Sequence, residues 1–134
     1  MPPSKPKKAK KAANPKALTY RQAYNALVKA GLAYPEATLD HPWGETALKV
    51  KGKIFLFLRQ DPDGLFLTIK LPRSREFALE YKFTAPASYG LGRAGWVTAE
   101  FEGKAKVPID LLLFWLAESY RAVATKKLSA TLDG

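Results

Sequence analysis

The sequence has no cysteine, one histidine and no long apolar run. Without cysteine there can be no disulfide, no thiolate nucleophile and no zinc site with sulfur ligands. A metal site at His41 would need nearby carboxylates such as Glu36, Asp40 or Glu45, and a catalytic histidine would need an activated nucleophile beside it. The sequence shows neither, so it predicts a protein that is not an enzyme and has no metal or cofactor. We expect His41 to organise its loop through a hydrogen bond.

The longest uncharged apolar stretch covers residues 111–117, far too short to span a bilayer. The basic first residues lead into no apolar segment, so we expect neither a secretory signal nor membrane association. These absences, together with the lack of cysteine, favour a cytoplasmic protein, which we expect to be a monomer.

Positive charge is concentrated at the N-terminus. The 134 residues carry a net charge of +10, of which residues 1–16 supply +6 and the remainder +4. The lysines of this arm are Lys5, Lys7, Lys8, Lys10, Lys11 and Lys16. A basic arm on a mildly basic body favours polyanions such as nucleic acid, although such a tail could also serve only solubility. The proline, lysine and alanine of the arm predict disorder for residues 1–16 and one folded domain for residues 17–134.

The periodicity of the domain predicts an α+β fold of two layers, an antiparallel sheet with helices packed on one face, in the order α-β-β-β-α-β(β)-α. A capping box at Thr19 and Gln22 opens the first helix, and Gly31 is expected to end it. The other predictions are a loop over 33–44, strands over 46–50, 53–59, 65–71 and 96–101, a helix over 75–82, turn residues over 86–95 and a last helix from Pro108.

Residues 90–95 match G-x-G-x-x-G, but a strand pattern follows them rather than the helix that a dinucleotide site requires. The glycines could instead let backbone N–H groups approach an anion, with Arg93 adding a charge that matches phosphate. Tyr89 and Trp96 flank this loop and could stack on bases. The alternative is a tight connection in which Trp96 fills the core.

The strand over 53–59 is apolar on both faces, because Phe55 and Phe57 alternate with Ile54, Leu56 and Leu58. This pattern predicts a central strand with both sides at least partly covered. An open aromatic platform for single-stranded nucleic acid is therefore disfavoured, and the basic residues of the neighbouring strands are expected to form a solvated rim.

Several short runs, taken in order, resemble the MmcQ/YjbR family of small bacterial proteins. They are Pro35–Thr38, the HPWG loop at 41–44, LTIKLP at 67–72, Trp96-Val97 and Ser119–Arg121. The resemblance covers roughly residues 19–128 and implies an α+β fold similar to CyaY-like or secretion-chaperone-like layouts, with DNA-binding activity. Many members carry a His-x-Asn-Lys-x-His-Trp-like run where this chain has YGLGRAGW, which leaves Arg93 and Trp96 at that place.

Two hypotheses about function follow. The first is a non-catalytic nucleic-acid-binding protein, with DNA the expected partner, that makes sequence-independent phosphate contacts through the lysine-rich arm, Arg93, Lys126 and Lys127. The second is a module that binds a protein or small ligand in a pocket near His41, Trp43, Tyr89 and Trp96.

Overall fold

The computed structural model describes residues 18–41, 45–88 and 90–133. The helices are α1 (Tyr20–Leu32), α2 (Arg75–Ala78), α3 (Ile109–Val123) and α4 (Lys126–Thr131), with a 3₁₀ turn at Leu91–Ala94. The strands are β1 (Ala37–Asp40), β2 (Thr46–Val50), β3 (Lys53–Asp61), β4 (Gly64–Lys70), β5 (Thr84–Pro86) and β6 (Trp96–Glu102). None of the helices in these ranges is long and apolar enough to cross a membrane.

The six strands form one antiparallel sheet in the order β1-β2-β3-β4-β6-β5. The β2–β3 hairpin turns through Lys51 and Gly52, whose φ angles of 53° and 79° fit the type I′ turn that matches strand twist. Together with the helices that pack on one side of the sheet, this arrangement confirms the predicted two-layer α+β class.

Helices α1 and α3 cover one side of the sheet, which we call the helix face; the other side is the open face. Buried residues of the helix face include Leu48, Leu56, Leu67 and Phe101, and they pack against Leu27 of α1 and against α3. The capping box that opens α1 is present as predicted, because Thr19 Oγ1 accepts from the Gln22 N–H and Gln22 Oε1 accepts from the Thr19 N–H, both at 3.0 Å.

The predicted central position of β3 is confirmed, and Ile54 and Phe57 on its open face are half-buried. The predicted alternation of its side chains was wrong, because a β-bulge interrupts it. Leu48 pairs with Leu56 but the next residue, Lys49, pairs with Ile54, so Phe55 is an extra residue in the bulge. Both Phe55 and Leu56 are consequently buried on the helix face, where the Phe55 ring meets Tyr120 of α3 at 5.3 Å. Only Phe57 remains as an aromatic residue of β3 on the open face.

The structure corrects four local predictions. The predicted loop over 33–44 contains the edge strand β1, and the predicted turn over 86–95 begins inside strand β5. Helix α2 ends at Ala78 rather than near residue 82, and the last helix breaks after Val123 before α4 begins. The short strands were missed because each extends an existing sheet edge by only three or four residues.

Gly31 was expected to end α1, but it lies one residue inside the helix and is buried. A Cβ at this position would overlap Cδ1 of Leu48 on β2. Gly31 is therefore explained by the close approach of α1 to the sheet rather than by a helix stop.

Candidate nucleic-acid interface

Strand pairing brings five basic residues to one end of the sheet. Lys53 opens β3 at the β2–β3 turn, and Lys70 closes β4 opposite Trp96. The backbone continues from Lys70 to the start of α2, and the Leu71 N–H donates to the Gly95 carbonyl at 2.8 Å, which holds this segment against the 3₁₀ turn. We define the basic end as Lys53, Lys70, Arg73, Arg75 and Arg93.

The opposite end of the sheet carries mainly acidic residues. The turn between β3 and β4 contains Asp61 and Asp63, and the Gly103 N–H donates to the Asp63 carbonyl at 3.2 Å. On β6, Glu100 and Glu102 lie next to this turn, opposite Phe66 and Gly64 of β4. The sheet is therefore positive at one end. The other end is acidic on balance, because its four carboxylates outnumber Arg59, which pairs with Asp61, and Lys104, which follows Gly103.

The residues of the basic end have no ion-pair partner within the described ranges, where four ion pairs occur. Those pairs are Lys49–Asp40, Lys51–Glu36, Arg59–Asp61 and Arg121–Asp133, with N···O distances of 2.8, 2.8, 3.3 and 2.9 Å. The hydrogen bond from Lys49 and the His41 N–H lower the pKa of Asp40, so the Asp40 carboxylate partly neutralises Lys49. Because the five residues of the basic end are not neutralised in this way, their charge is available to a polyanion.

The glycine-rich loop forms a 3₁₀ turn that orients two arginines. Arg75 Nε donates to the Gly92 carbonyl at 3.1 Å, which places the Arg75 guanidinium beside the residue that precedes Arg93. Gly95 has a φ of 93°, and a Cβ there would meet Pro72 at 3.3 Å. Glycine is therefore required where the turn passes against the segment that leads into α2.

The expected backbone cradle for an anion is not formed. The N–H groups of Leu91, Arg93 and Gly95 donate to the carbonyls of Ser88, Gly90 and Gly92, at 3.1, 3.2 and 3.1 Å. Amides that are bonded within the turn cannot also point at a phosphate. Any phosphate contact made by this loop would therefore come mainly from the Arg93 side chain.

Trp96 lies on the open face and is only 9% exposed. Its ring is 5.9 Å from that of Phe57. Further along the same face, the guanidinium of Arg59 lies 4.0 Å from the centre of the Phe66 ring and occupies that aromatic surface. Little aromatic area is left for bases to stack on, so this face is not an open stacking platform.

The pocket predicted around His41 and Trp96 does not bring these two residues together. His41 lines a polar cleft of about 310 Å³ near α1 and β2, and its Nδ1 lies 3.4 Å from Thr46 Oγ1. Trp96 is on β6, which β3 and β4 separate from β2, and three strand spacings amount to about 14 Å. Trp43 and Tyr89, also assigned to this pocket, lie outside the described residues.

The remaining predicted nucleic-acid contacts fall in different places. Lys126 and Lys127 are exposed first residues of α4, which packs against α3, whereas Arg93 is in the turn that packs against β6. The arm lysines Lys5, Lys7, Lys8, Lys10, Lys11 and Lys16 lie outside the described residues. Within the described ranges, no group of three or more His, Asp or Glu side chains could hold a metal ion.

Sequence reasoning singled out Arg93 but treated Lys53, Lys70, Arg73 and Arg75 as part of a solvated rim. Lys70, Arg73 and Arg75 are close together in sequence but 18 or more residues before Arg93, and the pairing of β4 with β6 brings them to the same end of the sheet. Lys53 reaches that end through the pairing of β3 with β4. The available signal was the spacing of Lys70, Arg73 and Arg75 at the point where a strand leads into a helix.

The fold and the polarised sheet define a small α+β protein with one helix-covered face. The chain belongs to the YjbR family, whose model matches residues 32–122. It is similar to the crystal structure of Deinococcus radiodurans protein DR2400, a DUF419-domain protein, with a TM-score of 0.62 and 26% identity. The match covers 81% of this chain and 86% of that one. No curated protein matches the sequence.

Proposed function

We propose that this protein binds nucleic acid, with DNA the expected ligand, and that it does so without catalysing a reaction. The observation that carries the proposal is the set of five unneutralised basic residues at one end of a sheet whose other end is acidic. Such polarity orients the protein toward the phosphate backbone and keeps its acidic end away.

Arg75 and Arg93 are the residues best placed to contact phosphate. The Nε–H of Arg75 donates to the Gly92 carbonyl, which orders the guanidinium. A planar guanidinium donates two parallel hydrogen bonds to a phosphate, and prior ordering lowers the entropy lost on binding.

The contacts would be to the backbone rather than to bases. Helix α2, which begins at the basic end, has only four residues and is too short to read bases in a groove, and Trp96 is too buried to offer a stacking face. Phosphate contacts carry no sequence information. The proposal therefore includes weak sequence preference and similar affinity for duplex and single-stranded DNA at equal length.

The proposal is tested by replacing both Arg75 and Arg93 with Ala and measuring binding to a labelled duplex by fluorescence anisotropy over a salt series. Each lost phosphate contact should reduce the slope of log K against log [salt] by about 1, so the double variant should lose about 2. The matched control is K104A/K106A, which removes the same charge from exposed positions beside Gly103, near the acidic end.

If the two double variants weaken binding equally, only net charge matters and the basic end is not the interface. If R75A/R93A leaves affinity and slope unchanged, the proposal is wrong for these residues. A circular dichroism melt of each variant verifies that a loss of binding does not arise from unfolding.

A further inference from the structure

Two phenylalanines are exposed on an otherwise well-buried domain. Phe77 of α2 is 74% exposed and Phe114 of α3 is 67% exposed. Both line one groove of about 680 Å³ between α2 and α3, whose other apolar residues are Pro72, Ala117 and Ala122. Neighbouring exposed aromatic residues around a groove are uncommon on a monomeric surface unless something binds there.

The groove has a fixed shape because Glu118 ties its two walls together. The Glu118 carboxylate accepts from the Arg73 N–H at 2.8 Å, the Ser74 N–H at 3.0 Å and the Ser74 Oγ–H at 2.6 Å. These bonds hold the start of α2 against the middle of α3. They also satisfy the only acidic side chain that lines the groove, so Glu118 is not free to pair with a cationic ligand.

Two arginines line the groove. Arg73 has no ion-pair partner among the described residues, whereas Arg121 pairs with Asp133, so a ligand carboxylate at Arg121 takes the place of Asp133. Arg121 already holds a carboxylate, because its terminal nitrogens donate to Asp133 at 2.9 and 3.5 Å. This exposed contact shows that a carboxylate fits beside the groove. An apolar floor with two cationic side chains is complementary to an acidic segment that carries apolar anchors.

The same charges argue against two other occupants. A second copy of this chain, with net charge +10, would bring like-charged arginines together across a shared interface. The lysine-rich residues 1–16 would meet Arg73 and Arg121 with the same sign. Nucleic acid suits the arginines but not the small apolar floor formed by Ala117 and Ala122.

We propose that the groove between α2 and α3 binds an acidic amphipathic segment of a partner protein. Apolar side chains one helical turn apart occupy the space between Phe77 and Phe114, and acidic side chains pair with Arg73 and Arg121. This site shares Arg73 with the basic end but contains neither Arg75 nor Arg93, so the protein partner would bind next to the proposed phosphate contacts.

The test uses the full chain with its six arm lysines replaced by Gln, so that the arm cannot attract an acidic peptide. The probe is a fluorescein-labelled amphipathic peptide with leucines at helical spacing i, i+3, i+4 and i+7 and glutamates on its other face. A second peptide has serine in place of each leucine, and a third has lysine in place of each glutamate. Binding is measured by anisotropy, and the contact surface is mapped by amide chemical shifts.

The acidic apolar peptide should bind, and replacing both Phe77 and Phe114 with Ser should weaken it at least about 10-fold, as loss of central aromatic anchors does. The control L39S removes a side chain that is 40% exposed on β1 and should change nothing. Replacing both Arg73 and Arg121 with Glu should reverse the preference in favour of the lysine peptide.

Equal binding of the leucine and serine peptides would reduce the interaction to charge and overturn the proposal, as would the absence of binding that depends on Phe77 and Phe114. A dimer in sedimentation that F77S/F114S dissolves would assign the groove to a second copy. Loss of single-stranded DNA binding in F77S/F114S would assign it to nucleic acid. Unchanged DNA binding in that variant supports a separate protein site.

Discussion

At the scale of single residues, Gly31 shows how helix propensity and packing oppose each other. Alanine is favoured over glycine inside a helix by about 1 kcal/mol. A Cβ at position 31, however, would overlap Cδ1 of Leu48, which is fully buried, so the Leu48 side chain would have to shift within a packed core. Overpacking in a filled core costs about 1–3 kcal/mol. We therefore expect the unfavourable packing of the added Cβ to outweigh the gain in helix propensity.

We therefore expect G31A to lower the free energy of unfolding by about 1 kcal/mol in urea denaturation, the middle of the difference of about 0–2 kcal/mol between the two effects. The control K29A changes an exposed residue of the same helix and should stay within about 0.5 kcal/mol of the unmodified protein. A G31A protein that is as stable as the unmodified one, or more so, would show that α1 can shift away from β2.

Tyr120 links stability to alkaline pH. Burial, aided by the negative charge of Glu36, raises the pKa of Tyr120, and its hydroxyl donates to the Pro35 carbonyl at 2.7 Å. The pKa of Tyr120 in the folded protein lies above its unfolded value of about 10. The stability that the neutral Tyr120 hydroxyl contributes is therefore fully present below about pH 10 and is lost as pH rises through the folded pKa.

Y120F should accordingly be less stable than the unmodified protein by about 1 kcal/mol at neutral pH, the usual value of one hydrogen bond. The difference should narrow as pH rises above about 10, because the ionised hydroxyl cannot donate. Urea midpoints for both proteins between about pH 8 and about pH 11 measure this, and other titrating groups cancel in the comparison. A difference that does not change with pH would contradict the assignment.

At the scale of elements, Ser119 joins α3 to the bulged strand β3 and to its neighbour β4. Its Oγ accepts the Lys70 N–H at 3.0 Å and donates to the carbonyl of Phe55, the bulged residue. Ser119 is fully buried, so neither backbone group can find water if the hydroxyl is removed. The side chain therefore stabilises the irregular register of β3.

S119A should cost about 1–3 kcal/mol, the penalty for unsatisfied buried polar groups. The control is the same substitution at Ser129, whose Oγ is buried without a hydrogen-bond partner in the described part of the chain. S129A should be neutral or slightly stabilising. Equal changes in the free energy of unfolding for S119A and S129A in urea denaturation would show that the hydrogen bonds of Ser119 do not stabilise the protein.

The regular elements follow from sequence and the irregular ones do not. The Thr19–Gln22 box, the Lys51-Gly52 turn and the alternation of β4 are local signals, and each is present in the structure. The bulge at Phe55 depends on Ser119, 64 residues away, and no local pattern reveals it. The prediction for Gly31 was wrong for the same reason, because glycine is needed there to avoid Leu48, which lies on a different element.

The candidate site has the same limit. Arg93 could be selected by its place in a glycine-rich loop, but its neighbours Lys70 and Arg75 are brought to it by strand pairing and by a bond to the Gly92 carbonyl. The grouping of His41 with Trp96 failed because two strands separate them. Neighbours that lie on different strands can be predicted only when the register of strand pairing is known, and local sequence patterns do not determine that register.

At the scale of the whole molecule, the account depends on two separate sources of positive charge, residues 1–16 with +6 and the domain with +4. If the domain only carries the arm, the polarity of its sheet has no role in binding. If the domain binds by itself, the arm increases affinity and salt sensitivity on top of contacts that the basic end already makes.

The most direct measurement is the salt dependence of duplex DNA binding by the full chain and by a variant with all six arm lysines replaced by Gln. On duplex DNA the slope of log K against log [salt] is about −0.9 for each phosphate neutralised. We expect the variant without arm lysines to bind duplex DNA with a shallower slope than the full chain. Adding R75A/R93A to that variant should make the slope shallower again. Complete loss of binding with the arm lysines would contradict a nucleic-acid site on the folded domain.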